Sequence, residues 1–357
     1  MANYILVVNP GSTSTKFALF SNGEPVMEKS ISHSSDQIAE FKRISDQFGF
    51  RKKMIIAELE ESEIDIDDII IVVGRGGLLK PIESGIYEVN DAMKRDLESG
   101  ERGEHASNLG GLIASDIAAS LPDARAFIVD PVVVDEMDDV ARYTGHPQFS
   151  RRSVFHALNQ KAVSRLFASA EGKRYEDMNL IVAHMGGGIS VGAHRKGRVV
   201  DVNNALNGDG PFSPERSGSL PVGQLADLCF SGEKSHSEVT AMITGKGGMT
   251  AYLGTNDFRE ICKRAQDGDT EALGVQQAAS YQIAKEIGAA AAVLKGEVDA
   301  IILTGGMAYQ ELNTSYIKSM ISWIARVVIY PGEDELRALA FNGQMVLDGT
   351  ALVRNYS

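Results

Sequence analysis

The chain carries one pattern twice. Residues 7–26, VVNPGSTSTKFALFSNGEPV, and residues 181–200, IVAHMGGGISVGAHRKGRVV, each read as an apolar strand, a glycine-bearing turn, a second strand, another turn with glycine and a third strand. With one small gap, Asn9 falls over His184 and Gly11 over Gly186. Either stretch alone is an ordinary glycine-rich hairpin. The repeat goes further, because each copy leads through helical patterns to an apolar strand ending in glycine, IIIVVGRGG at 69–77 and AIILTGGM at 300–307. The expectation is an α/β chain made of two copies of one β-β-β-α-β-α fold, facing each other across a cleft.

The remaining segments fit that plan. Strands are expected over 4–9, 15–20 and 25–31, then a long amphipathic stretch over 36–61, a buried strand at 69–75, a helix in 105–121 and a strand at 125–130. Beyond residue 150 come a helix over 153–170, three strands within 179–204, helices near 221–231, 235–244, 256–265 and 271–295, a strand ending at Gly305, and a C-terminal helix within 334–356. The expected domains are 1–150 joined by the last helix at about 340–357, which handles the acceptor and phosphate, and 151–339, which binds nucleotide.

Composition narrows the functions. With 357 residues the chain is long enough for two cores. A net charge of −13 argues against binding duplex DNA, whose phosphates demand an excess of Lys and Arg, but it does not exclude small anions met by a local basic cluster. The two cysteines, Cys229 and Cys262, are too few for a disulfide framework and are expected as neutral thiols in a reducing cytoplasm. The opening MANYILVVNPGSTSTK lacks the basic region and long apolar stretch of a secretory signal, and no run approaches membrane-spanning length. The acidic run ELEESEIDIDD at 58–68 reads as a solvated helix end.

The two turns suggest phosphate chemistry. A tight turn after a buried strand aims backbone N–H groups at one point, and glycine lets an anion approach closely. In the first copy, alternation puts Ser12, Ser14 and Lys16 on one face, two hydroxyls and an ammonium. In the second copy it lines up Gly186, Gly188, Ser190 and Gly192, a face expected to be nearly free of side chains, with Gly187 between them. One turn then supplies donors and the other supplies room. Neither the P-loop nor the dinucleotide glycine pattern is present.

Together NPGSTSTK, HMGGGISVGAH and LTGGM resemble the first phosphate, second phosphate and adenosine motifs of the actin, sugar-kinase and heat-shock-chaperone ATPase superfamily. Asn9, where sugar kinases and chaperones carry Asp, followed by Gly-Ser-x-Ser/Thr-x-Lys, resembles the acetokinase family, and the length and first motif are most similar to its butyrate kinase branch. The resemblance covers essentially the whole chain. It implies duplicated ribonuclease H-like (actin-like ATPase) domains, each a mixed five-stranded sheet flanked by helices. It also implies reversible, in-line transfer of the γ-phosphoryl of ATP to a short-chain carboxylate, with Mg2+ and ATP/ADP bound, in a homodimer or higher homo-oligomer.

Such a reaction brings two anions together. A carboxylate is already ionised at neutral pH and needs no base, so positive groups carry the catalysis. By resemblance, Arg75 in VVGRGGL and Arg216 in GPFSPERSGSLP match arginines at the acyl and phosphoryl groups. Asp130 resembles the catalytic aspartate, His156 a histidine that donates to the phosphoryl group, His184 one at the second phosphate loop and His105 one near the acyl end. Magnesium is expected at Asn9 and an acidic residue opening the last helix. Aligned on the Glu-Leu pair, Asp334 takes that place, with Glu333 and Glu335 also open. Thr304, Gly305 and Gly306 are expected against adenine and ribose, with 204–213 a further candidate loop and 244–254 shaping a cleft wall. Gly76 and Gly77 stand where related acetate kinases carry bulkier residues, so Gly77 is expected to leave room for butyrate or other acids of three to five carbons. The alternatives are an acetate or propionate kinase of the same family, an actin- or chaperone-like ATPase, and a sugar kinase, which needs a base for a hydroxyl acceptor.

Overall fold

The structure is a computed structural model describing residues 3–62 and 64–357; Met1, Ala2 and Glu63 of the acidic run lie outside the described residues. The chain opens with an antiparallel meander, β1 (Tyr4–Pro10), β2 (Ser14–Ser21) and β3 (Glu24–Ser32). Helices α1 (Ser35–Ala39) and α2 (Phe48–Glu60) follow, then β4 (Ile69–Arg75), β5 (Ile86–Glu88), α3 (Asp91–Ser99), α4 (Asn108–Ala119) and β6 (Arg125–Val129). After α5 (Ala157–Ala170) a second meander begins, β7 (Asn179–Met185), β8 (Ile189–Arg195) and β9 (Arg198–Val202). Helices α6 (Val222–Ser231), α7 (His236–Ile243), α8 (Gly248–Leu253), α9 (Phe258–Gln266) and α10 (Thr270–Val293) lead to β10 (Ala300–Gly305), α11 (Glu311–Ile321), β11 (Val327–Pro331), α12 (Glu335–Leu347) and β12 (Val353–Arg354).

The duplication is explicit in the pairing. The second sheet runs β11-β10-β7-β8-β9, and the first contains β6-β4-β1-β2-β3 in the equivalent order. In both, the first strand of the meander pairs antiparallel with the second and parallel with the later strand. Asn9 sits opposite Lys16 and His184 opposite Ser190, so the two turns occupy equivalent places. The expectation of five strands per sheet is corrected for the first sheet, which has seven: β5 adds antiparallel to β6, and β12 adds parallel to β5. Such short edge strands leave almost no period-two signal in a sequence.

The chain divides into two units, Met1–Val134 with Asp334–Ser357, and Asp135–Glu333. Both breaks fall earlier than the expected 150/151 and 339/340. Residues 135–151 belong with the second sheet because Glu136 accepts from the Val199 N–H (2.8 Å) and pairs with buried Lys161 (2.7 Å), while Arg151 pairs with Asp201 (2.8 Å). The C-terminal helix ends at Leu347, not near residue 356. The amphipathic stretch 36–61 is broken into α1 and α2, α1 being closed at its start by a Ser34/Gln37 capping box.

The central strands of each sheet are buried on both faces. In the first unit Leu6, Val8 and Val72 pack with Leu109 and Ile113 of α4, while Ile5, Ile71 and Val73 meet Gly343 of α12. In the second, Ile181 and Ala183 pack with Ile283 and Ile287 of α10, while Leu180 and Val182 pack with Val163 and Phe167 of α5. Strand ends are thereby held rigidly, which positions the side chains that follow. Among the described residues, no helix is long and apolar enough to cross a membrane.

Candidate active site

In the first unit, three elements converge at one carboxylate. The buried Asn9 amide at the end of β1 donates from Nδ2 to Glu335 Oε2 (2.7 Å), and Arg75 at the end of β4 pairs with the same oxygen through Nη1 (2.9 Å). The Arg75 Nη1 also lies 3.4 Å from Asn9 Oδ1. Glu335 is the first residue of α12 and is 9% exposed. Asp334, favoured by alignment, is instead the N-cap: its Oδ1 accepts the Arg337 N–H (3.0 Å) and its side chain stays exposed. Glu333 falls in the other unit, its Oε2 3.6 Å from His184 Nε2. The acidic residue brought to Asn9 is therefore Glu335.

The buried Glu335 carboxylate suits Mg2+, which retains several waters and takes one or two carboxylates plus phosphate oxygens, while the Asn9 amide turns Nδ2 to that carboxylate and Oδ1 towards Arg75. Among the described residues there is no cluster of three or more His, Cys, Asp or Glu that suits a cation needing a full protein cage.

The first turn is braced from behind by a residue that sequence reasoning missed. Arg51 of α2, 1% exposed, donates through Nη1 to Gly11 O (2.7 Å), Ser14 O (3.0 Å) and Thr15 Oγ1 (3.1 Å), and through Nη2 to Ser12 O (3.1 Å). Its Nε and Nη2 both reach Gln47 Oε1. The carbonyls of the turn are thus drawn inward. Ser12 and Lys16 remain exposed and Ser14 is half-buried. Burial lowers the guanidinium's pKa, as expected for a cation whose hydrogen-bond partners are all neutral.

The room expected around Gly76 and Gly77 is filled. A Cβ on Gly76 would lie 2.6 Å from Pro131 Cβ, and one on Gly77 would lie 2.4 Å from Asn108 Oδ1 and 2.5 Å from its Cα. These glycines let the 76–77 loop lie against the start of α4 and against Pro131; they do not open space for a longer acyl chain. Asp130, with φ +37, is buried and holds a loop: its Oδ1 accepts from Ser84 Oγ (2.6 Å) and the Gly85 N–H (2.8 Å). His105, exposed, accepts the Ser107 N–H at Nδ1 (3.2 Å) and lies 2.8 Å from Ser107 Oγ just before α4.

In the second unit His156 and His184 are brought face to face, rings 3.8 Å apart and 10° from parallel. His184 is buried, with Nδ1 2.8 Å from Asn159 Oδ1; His156 Nδ1 lies 2.8 Å from Ser190 Oγ. The glycine face of β8 is not empty. A Cβ on Gly188 would sit 2.0 Å from Arg216 Nη1, and one on Gly192 would sit 2.5 Å from Gln160 Oε1. Gly188 is the slot through which Arg216 passes, whereas a Cβ on Gly186 or Gly187 meets nothing nearer than 3.4 Å.

Arg216 donates from Nη1 to Ala205 O (2.6 Å), and its buried Nε has no hydrogen-bond partner. A part-buried guanidinium with an orphaned Nε donor offers charge and a free N–H to an anion. The 244–254 stretch, expected to shape a cleft wall, fixes this loop: Gly245 N–H donates to Glu215 O (2.8 Å) and Met249 N–H to Ser213 O (3.0 Å).

Of the adenosine residues, only Gly306 is open. It lines a cavity of about 360 Å³ with Gly186, Gly187, Pro214, Asn256 and Tyr309. Thr304 is wholly buried and lies 3.1 Å from Gly332 O and 3.3 Å from Asn159 Oδ1. Gly305, at φ +87, is pressed against Met185 O, 2.4 Å from where a Cβ would stand. These two shape the strand end instead of lining the cavity.

The fold is shared with solved acetate and propionate kinases. The chain is similar to Porphyromonas gingivalis acetate kinase (TM-score 0.80, 20% identity, 97% of this chain and 100% of that one) and to Entamoeba histolytica acetate kinase (0.76, 17%, 96% and 99%). It is also similar to a propionate kinase from Francisella tularensis (0.74, 19%, 95% and 98%). These likenesses define the class of fold, two equivalent mixed sheets flanked by helices as in those kinases. Residues 142–323, just over half of the chain, match the model of the acetokinase family, and the chain belongs to that family.

Proposed function

We propose that this protein transfers the γ-phosphoryl group of ATP to a short-chain carboxylate, giving an acyl phosphate, and that the reaction is reversible. The observation that carries the reading is the Asn9–Glu335–Arg75 cluster. It combines a carboxylate suited to a cation with a guanidinium suited to an ionised acid, an acceptor that needs no base. Glu335 and Asn9 would hold Mg2+, which would supply charge neutralisation at the phosphates. Arg75 would bind the acid. Ser12, Ser14, Lys16 and the backbone N–H groups of Gly186 and Gly187 would bind phosphates, and the cavity at Gly306 would take the nucleoside. Arg216, with its unpaired Nε, would meet the phosphoryl oxygens, joined by a donor from His156. Asp130 would act by fixing the 84–85 loop. His105 remains a candidate for the acyl end.

For the acid itself, acetate and propionate stand ahead of butyrate. The solved relatives are acetate and propionate kinases, and the Gly76–Gly77 space that argued for longer chains is filled. The butyrate reading now rests on the chain length and the form of the first motif. Self-association is part of the proposal, because α6 buries none of its residues and exposes Val222 and Phe230.

The test is incubation with Mg-ATP, hydroxylamine and acetate, propionate, butyrate or a sugar. Hydroxamate is expected with the short acids only. ATP hydrolysis without hydroxamate from any acid would favour an actin-like ATPase and overturn the proposal.

A further inference from the structure

Behind the stacked histidines runs a line of buried polar side chains. Tyr175 Oη lies 2.7 Å from His194 Nδ1; His194 Nε2 lies 2.9 Å from Gln160 Oε1; Gln160 Nε2 lies 2.8 Å from Ser190 Oγ; and Ser190 Oγ lies 2.8 Å from His156 Nδ1. His194, Gln160 and Ser190 are each 0% exposed. We propose that this line sets the tautomer of His156, with Gln160 as the positioning residue that makes the ring carry its proton on Nε2 and so act as a hydrogen-bond donor.

The direction follows from counting donors and acceptors. The Ser190 carbonyl oxygen can only accept, and it lies 3.0 Å from the Gln160 amide nitrogen. The amide is thereby oriented: both its hydrogens go to Ser190, one to O and one to Oγ, and its Oε1 faces His194. His194 must donate from Nε2, so its Nδ1 accepts from the Tyr175 hydroxyl. Ser164, the other hydroxyl near Nδ1 (3.4 Å), gives its proton to Gln160 O (2.7 Å). His194 is held neutral, since burial first, then Lys161 and Arg165, push its pKa well below the usual value.

At Ser190 Oγ the lone pairs face the Gln160 amide and, at a long 3.5 Å, the His156 backbone N–H. The serine proton is left for His156 Nδ1, and Nε2 keeps the ring's proton. If the phosphoryl-transfer reading holds, that N–H is the donor offered to the charged phosphoryl oxygens.

The test reads the tautomer directly, by ¹⁵N imidazole shifts of His156 in the full-length protein at pH 8, assigned against His156→Gln. The wild type is expected in the Nε2–H form. Gln160→Glu replaces the donor with an acceptor; Ser190 then turns its proton to the carboxylate and His156 Nδ1 becomes the donor. The expected result is an Nδ1–H or doubly protonated ring and a fall in kcat of about 10²-fold, with KM for ATP little changed. Gln160→Met, which adds no charge, is expected to cost less. A wild-type Nδ1–H ring overturns the inference, even if Gln160→Glu fails to fold. Equal kcat losses in both variants with the Nε2–H form retained mean packing alone and also overturn it. The spectrum needs no turnover, so an Nε2–H ring in a protein that phosphorylates no acid would sink the functional reading and leave this one standing.

Discussion

Gly188→Ala isolates the role given to the second glycine turn. Gly188 does not adopt the left-handed backbone, so alanine strains nothing locally. Its Cβ would stand 2.0 Å from Arg216 Nη1 and 2.9 Å from Cζ, with Ala205 O at 3.1 Å. Ordinary contact begins near 3.5 Å, so the guanidinium must retreat by about 1.5 Å. That breaks its 2.6 Å bond to Ala205 O and leaves a second nitrogen unpaired beside Nε. The stability cost is about 1–2 kcal/mol, one charged hydrogen bond partly offset by the side chain's flexibility. The activity cost is larger, since a displacement of this size lowers turnover by about 10²-fold. Urea unfolding measures the first effect and hydroxamate formation at saturating Mg-ATP the second. The decisive comparison is a cycle with Arg216→Ala, in which Gly188→Ala should cost almost nothing further. Strictly additive losses, or wild-type turnover in the single variant, would refute the slot. Gly186→Ala, whose nearest neighbour is His184 Nε2 at 3.4 Å, should leave stability within about 0.5 kcal/mol of wild type.

Glu335→Gln removes the charge but keeps the shape facing Asn9 and Arg75; the Mg2+ midpoint for activity should rise about tenfold, and an unchanged midpoint would count against Glu335 as the cation ligand. Arg51→Met strips the Gly11, Ser12 and Ser14 carbonyls of a buried donor and should lower unfolding free energy by about 3 kcal/mol in urea titrations, with a raised KM for ATP. His33, 2.8 Å from Thr15 Oγ1, has a pKa lowered from 6.5 by burial and by Arg51. The unfolded chain therefore binds more protons below pH 6.5, so stability is full above that pH and is lost as pH falls towards the folded value. His33→Gln should flatten the urea-midpoint slope between pH 5 and 7, leaving the part due to His194, which has the same sign.

The repeat was legible because strand alternation and glycine turns are local signals, and both turns arrived at equivalent places. What the glycines accommodate was not legible. Gly77, Gly188 and Gly192 make way for Asn108, Arg216 and Gln160, residues brought in from distant elements. A sequence displays the missing Cβ and not the group that uses the space. Choosing between Asp334 and Glu335 depended on which residue caps α12, a matter of one residue's backbone angles. Arg51 did leave a trace. It shares the spacing of Ile55 and Leu59, the other buried residues of α2, so it stood on the apolar face of the amphipathic stretch.

The return of α12 to the first unit has a consequence for synthesis. β1 emerges from the ribosome first, yet Glu335, and Gly343 against Ile5, come more than 320 residues later. The second unit has all its strands by Pro331 and is free to mature while the earlier-made sheet still lacks a helix. A nascent chain can thus form the cavity at Gly306 before Glu335 reaches Asn9. Catalytic competence would arrive in a single late step, guarding the cell against a half-made enzyme that spends ATP.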